Sequence, residues 1–146
     1  TKEGEAHYKD GKQHGLYTAY RPDGSKESEV LYKDGKRNGL QVAYRDDGTT
    51  MLETSYQDDV KHGLQIWYRK DGTKESEITY RADKKHGLNT WYAEDGTKRR
   101  EANYQYGAKH GLEIWYREDG TKESETNYKD GEPYRGKTCG TKKPSS

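Results

Sequence analysis

One stretch, Tyr56 to Thr79, constrains the fold more than any other feature of the chain. It reads Y-Q-D-D-V-K-H-G-L-Q-I-W-Y-R-K-D-G-T-K-E-S-E-I-T and recurs at a step of 24 residues. His62-Gly63-Leu64 has counterparts at His14-Gly15-Leu16, His86-Gly87-Leu88 and His110-Gly111-Leu112, and Asn38-Gly39-Leu40 fills the remaining slot. Asp-Gly follows at Asp23-Gly24, Asp47-Gly48, Asp71-Gly72, Asp95-Gly96 and Asp119-Gly120, without insertion or deletion. A fixed short period means a repeat architecture, in which each unit relies on its neighbours to bury its apolar side chains.

Composition narrows the function classes. With 27 Lys and Arg against 26 Asp and Glu, the chain has no single-sign field to attract nucleic acid or an anionic membrane. Only 27% of residues are hydrophobic and Phe is absent, which alone would read as a disordered polar chain. The tyrosines overrule that reading: 11 of 14 stand in two rows, Tyr8, Tyr32, Tyr56, Tyr80, Tyr104, Tyr128 and Tyr20, Tyr44, Tyr68, Tyr92, Tyr116. No apolar run approaches the roughly 18 residues of a membrane-spanning helix, and no signal segment opens the chain. A soluble protein is expected. The first residue is Thr1, so the compartment stays open, with cytoplasm ahead of secretion or the cell surface. Cys139 is alone, which leaves no internal disulfide or cysteine zinc site.

Within a unit the residues alternate. Leu64, Ile66 and Tyr68 share one face of a strand, with Gln65, Trp67 and Arg69 on the other. Arg21-Pro22-Asp23-Gly24-Ser25 then predicts a three-residue hairpin loop with a G1 bulge, Pro at the first corner and Gly in the left-handed position. Pairing Arg21 with Ser25 sets Tyr20 opposite Lys26, Thr18 opposite Ser28 and Leu16 opposite Val30. Both tyrosine rows then join the Leu/Ile face, and that face is expected to be the buried one, with Ile66 in the core and Gln65 outside it. The links between hairpins are less regular. At Asp59 and Asp83 the glycine of other links is lost, and strain is expected because Asp enters the left-handed region less readily.

The expected fold is all-β: an elongated antiparallel meander of five tandem 24-residue β-hairpin repeats, twisted or curled into a solenoid-like half-pipe about 45–50 Å long at roughly 4.8 Å per strand. The repeat domain spans 1–132, with units near 8–31, 32–55, 56–79, 80–103 and 104–127 and partial repeats at both ends. Residues 133–146 read as a polar, basic tail.

Side chains that could carry chemistry recur at the same step. His14, His62, His86 and His110 are in register, but equivalent residues two strands apart stand about 9–10 Å from one another, too far to share a metal with ligands at about 2.1 Å. A turn-stabilising role fits them better. The glutamates of the Glu29 row stand equally far apart with no nucleophile nearby, so neither an active site nor a cofactor is expected. Trp67, Trp91 and Trp115 are the sharpest feature. By the register above they lie on the polar face, across from Glu75, Arg99 and Glu123, and read either as packing between strands or as a contact stripe rimmed by Arg69, Arg117, Glu77 and Glu101. Stacking on sugar rings stays open beside these.

The repeat resembles the MORN repeat in its bacterial variant form. The likeness rests on Gly35-Lys36-Arg37-Asn38-Gly39-Leu40 and Trp67-Tyr68-Arg69-Lys70-Asp71-Gly72-Thr73-Lys74, covers about residues 4–132, and departs at Asp59, Val60 and Asp83 where the usual Gly-Lys is lost. The resemblance implies a hairpin array and brings in bacterial antitoxins or immunity proteins. The resulting expectation is a non-enzymatic scaffold binding a protein partner, with toxin neutralisation its most concrete form. A surface or glycan-binding adhesin module and a structural spacer are the alternatives. No nucleic-acid partner and no membrane span are expected, and monomer and face-to-face dimer both stay open.

Overall fold

A computed structural model describes residues 3–134. Cys139 and nearly all of the expected tail lie outside the described residues. Short strands β1 (Gly4–Glu5), β2 (Tyr8–Lys9) and β3 (Lys12–Gln13) come first. They are followed by β4 (Gly15–Tyr20), β5 (Lys26–Lys33), β6 (Lys36–Tyr44), β7 (Thr50–Gln57), β8 (Val60–Tyr68) and β9 (Lys74–Arg81). The chain continues with β10 (Lys84–Lys85), β11 (Gly87–Tyr92), β12 (Lys98–Gln105), β13 (Ala108–Tyr116), β14 (Lys122–Lys129) and β15 (Glu132–Pro133). All except β2 and β3, which pair with each other, join one 13-stranded sheet of antiparallel neighbours in chain order. The path from β1 to β15 does not close, so the protein is an open meander and not a barrel.

The three-residue loop expected from Pro-Asp-Gly is present. Arg21 N donates to Ser25 O at 2.8 Å and Gly24 N to Arg21 O at 2.9 Å, with Gly24 at φ 89°, and the pattern returns at Arg45, Arg69, Ala93 and Arg117. Each loop is locked by its aspartate: Asp71 Oδ1 accepts from Thr73 N at 2.9 Å and from Thr73 Oγ1 at 2.6 Å. Those bonds, the hydroxyl's first, hold the Asp71 carboxyl below its usual value.

Beyond the loop the register departs from the expectation. Tyr20 does pair with Lys26, but Ala19 pairs with Ser28, which leaves Glu27 as the extra residue of a second bulge. Met51, Glu75, Arg99 and Glu123 are skipped in the same way. Thr18 therefore faces Glu29, Leu16 faces Leu31 and Tyr17 faces Val30. One skipped residue moves the whole second strand to the other face. The two tyrosine rows consequently lie on opposite faces. Tyr32, Tyr56, Tyr80, Tyr104 and Tyr128 share the tryptophan face, while Tyr20, Tyr44, Tyr68, Tyr92 and Tyr116 share the face of the leucines and glutamates.

Burial follows the true register. The most enclosed row runs Val30, Thr54, Gln65, Ile78, Asn89, Ala102, Glu113, all on the tryptophan face and at most 8% exposed. Ile66 is only half-buried while Gln65 is buried, which reverses the expected pair. Leu16, Leu40, Leu64, Leu88 and Leu112 on the opposite face remain 38–45% exposed, so that face is left partly open.

The links are two-residue turns with both residues at positive φ, the geometry whose twist matches that of the strands it joins. Asp58 and Asp59 lie at φ 48° and 70°, Ala82 and Asp83 at 49° and 68°. Asp59 and Asp83 thus stand in the left-handed region as expected, and each also makes contacts that the expectation did not include. Asp59 Oδ1 accepts from Arg37 N at 2.8 Å and Arg37 Nε at 3.2 Å, and Asp83 Oδ1 from Lys61 N at 2.7 Å. These carboxylates clip each link to the one before it. Part of the histidine slot works at the same place: His86 Nδ1 accepts from Tyr106 N and His110 Nδ1 from Asp130 N, both at 3.4 Å, and Asn38 Oδ1 takes Asp58 N alike, whereas the buried Nδ1 of His14 has no such donor.

Candidate functional site

Three rows cross the tryptophan face perpendicular to the strands. The outermost alternates aromatic and cation: Tyr32 pairs with Arg37, Tyr56 with Lys61, Tyr80 with Lys85 and Tyr104 with Lys109. Each cation also lies over the ring of the next tyrosine, Arg37 at 4.2 Å from Tyr56, Lys61 at 4.8 Å from Tyr80, Lys85 at 5.1 Å from Tyr104 and Lys109 at 4.7 Å from Tyr128. The middle row is the buried one. The third runs Ala19, Ser28, Ala43, Leu52, Trp67, Ser76, Trp91, Arg100, Trp115, Ser124.

The cross-strand partners of the tryptophans are thus Ser76, Arg100 and Ser124, not Glu75, Arg99 and Glu123 as expected. The three indoles are also not equivalent. Arg100 is clasped between two of them, its guanidinium carbon 4.2 Å from the Trp91 ring and 5.1 Å from that of Trp115. Its charge is met by Glu113, which accepts from Arg100 Nε at 2.8 Å, from Lys109 Nζ at 2.9 Å and from the Tyr128 hydroxyl at 3.3 Å. Burial works to raise the Glu113 carboxyl, but the hydrogen bonds from Lys109 and Arg100 outweigh it and hold the carboxyl below its usual value. Trp67 has Ser76 beside it instead and borders an open cavity of about 250 Å³ between the second and third hairpins, lined also by Gln41, Ala43, Leu52, Tyr56 and Lys61.

The expected rim does not assemble around the indoles. Glu77 and Glu101 stand on the opposite face, where they accept from the Tyr92 hydroxyl at 2.6 Å and from the Tyr116 hydroxyl and lie 3.3 Å from Lys74 and Lys98. Arg69 reaches into the next unit and donates to Tyr92 O at 2.6 Å, as Arg45 does to Tyr68 O and Arg21 to Tyr44 O. Arg117 turns back on its own loop, to Lys122 O at 2.6 Å. These arginines staple units and loops together. Sequence reasoning missed Arg100, Glu113, Lys61 and Tyr56. One signal was available, since Arg100 is the single arginine in a column otherwise made of Ser28, Leu52, Ser76 and Ser124.

Comparison with known families agrees with this architecture. The MORN repeat variant family matches residues 13–34, 61–82, 85–106 and 109–130, together more than half of the chain. No curated protein matches it. Among the described residues no group of three or more His, Cys, Asp or Glu is placed to hold a metal ion, and no helix is long and apolar enough to cross a membrane.

Proposed function

The chain belongs to the MORN repeat variant family, whose repeats are non-catalytic protein- or membrane-binding modules, and from that premise we propose that it is a non-enzymatic scaffold presenting its tryptophan face to a protein partner. The observation that carries this reading is the row Trp67, Trp91, Trp115. Trp67 and Trp91 are half-buried and Trp115 is 45% exposed, all beside a ladder of tyrosines and cations. Aromatic side chains with arginine at the centre of a patch are the composition of contact hot spots. Neutralisation of a toxin by occupation is the most concrete form of the reading, supported by the resemblance. The leucine face supports it less, because its glutamates are spent on tyrosine hydroxyls and lysines.

The test is a pulldown from the source cell with wild type and the combined Trp67→Ala, Trp91→Ala, Trp115→Ala variant, with circular dichroism on both. Truncating a central interface tryptophan costs about 2 kcal/mol or more, about thirtyfold in affinity. Loss of the partner with the β spectrum retained is expected. A triple variant that keeps its partner while its melting point collapses would make the tryptophans structural and move the contact elsewhere.

A further inference from the structure

The cavity beside Trp67 exists for a reason visible in the repeat. Ala43 occupies the slot that holds Trp67, Trp91 and Trp115 in the next three units, and its neighbours across the strands are Ser28 and Leu52. The second unit therefore lacks one indole, and about 250 Å³ of space opens between Ala43 and Trp67 with Leu52 beneath it and Tyr56 at one side. Two units on, the residue that stands where Leu52 stands here is Arg100, and it shows what an indole of this row takes against its ring. Between Trp91 and Trp115 a planar group, the Arg100 guanidinium, lies against both rings.

Charge decides which planar group suits the open gap. Arg100 is held with Glu113 at hand. The cavity has no carboxylate in its lining, and Lys61 stands at it with its ammonium over Tyr80. A second guanidinium there would meet a like charge and no counter-charge. A neutral aromatic ring meets Leu52 below, the Trp67 ring beside it and the Gln41 amide as a hydrogen-bond partner, the mix of apolar walls and few polar groups that defines a side-chain pocket. We infer that this gap seats an aromatic side chain, tryptophan by the shape of the slot, carried by an acidic segment of the protein partner. The inference rests on the binding reading above and makes it specific: the partner supplies the indole that the second unit lacks, and Lys61 at the edge of the gap receives its carboxylates.

The experiment uses the full chain and three capped peptides, Asp-Trp-Asp, Lys-Trp-Lys and Asp-Ala-Asp, titrated while the Trp67 indole N–H and the Leu52 methyl resonances are followed by NMR. Asp-Trp-Asp should shift both saturably and bind at least about tenfold more tightly than either other peptide, a difference of about 1.4 kcal/mol. Added salt should weaken it. Ala43→Trp fills the gap and should abolish the response with the fold intact. Lys61→Glu leaves the gap open and should reverse the preference between the acidic and basic tryptophan peptides, so the inference stays testable if the larger substitution fails to fold. No saturable shift with Asp-Trp-Asp, or an unchanged response in Ala43→Trp, overturns it. A cellular partner that binds wild type and Ala43→Trp equally but not the triple tryptophan variant also overturns the seat while leaving the wider binding reading standing.

Discussion

At the scale of single residues, stability depends on polar groups that a hydrophobicity count would pass over. Glu113 is 5% exposed and gathers Arg100, Lys109 and Tyr128. Glu113→Ala leaves two cations facing each other beside Trp91 and Trp115 and should cost about 3 kcal/mol in a denaturant titration. Because its folded pKa lies below its usual 4.5, the stability Glu113 contributes is present above the unfolded pKa and is lost as pH falls through the folded one. The variant should therefore lose part of its acid sensitivity; an unchanged midpoint at neutral pH would show that the cluster is solvated. On the opposite face Tyr44, Tyr68, Tyr92 and Tyr116 are each pushed up to about 12. The leading cause is the Glu29 carboxylate at Tyr44, the Glu101 carboxylate at Tyr116, and burial at Tyr68 and Tyr92. Unfolded tyrosine ionises near 10, so these four stabilise fully below that pH and cease to do so as pH rises toward 12. Melting points should fall steeply across that window. In the combined Tyr92→Phe, Tyr116→Phe variant the fall should be shallower, and an identical slope would remove these hydroxyls from the account.

At the scale of elements, the links carry information that the strands do not. Asp59 was expected to be a strained substitute for glycine, yet its carboxylate holds both the backbone N–H and the guanidinium of Arg37 across the unit boundary. Asp59→Gly relieves the positive φ but gives up those bonds, so it should lower the melting point, with Asp59→Asn falling in between because it keeps an acceptor at the same place. A glycine variant that melts higher than wild type would return Asp59 to the strained reading. The same contrast shows which parts of the hairpin could be read in advance. Asp-Gly fixes its loop by local chemistry, since the Asp carboxylate bonds the N–H two residues on and Gly supplies the left-handed dihedral, with Pro at the corner of the first loop alone, and strand alternation is equally local. The second bulge has no such signature. Its extra residue is Glu27, Met51, Glu75, Arg99 or Glu123, set in a run where both neighbours are often polar, so hydrophobic pattern could not vote on register. What fixes the register is non-local: Gln65 bonds to Thr54 at 3.2 Å and Tyr92 to Glu77 at 2.6 Å, contacts between strands of different units. The tryptophan stripe could be read because its residue type is rare, whereas its companions Arg100, Glu113 and Lys61 look like ordinary surface charges until the strands are laid side by side.

At the scale of the whole molecule, every unit meets only its neighbours, through strand pairing, the arginine staples and the aspartate clips, so stability should behave as a sum over units and their interfaces. The staple series is not uniform: Arg21, Arg45 and Arg69 each reach the following unit, but Ala93 stands in the fourth position and the last boundary lacks one. The period makes this testable without knowing the partner. Deleting residues 56–79 joins Ser55 to Tyr80, which occupies the same slot as Tyr56, so every downstream side chain keeps its face, and Arg37 N, released from Asp59, replaces Lys61 N as the donor to Asp83. The shortened chain should fold, with an unchanged β spectrum and a smaller denaturant dependence in proportion to the surface it no longer buries. Trp91 then takes the slot of Trp67 beside Ala43 and Leu52, so the gap should re-form against Trp91, while Trp91, Arg100 and Trp115 remain stacked. A deletion one residue shorter shifts one strand by a single position, turns its buried row outward, and should not give a cooperative transition. If both deletions melt alike, the sheet tolerates register slips, and the row of Gln65, Ile78, Asn89, Ala102 and Glu113 is not what holds the array together.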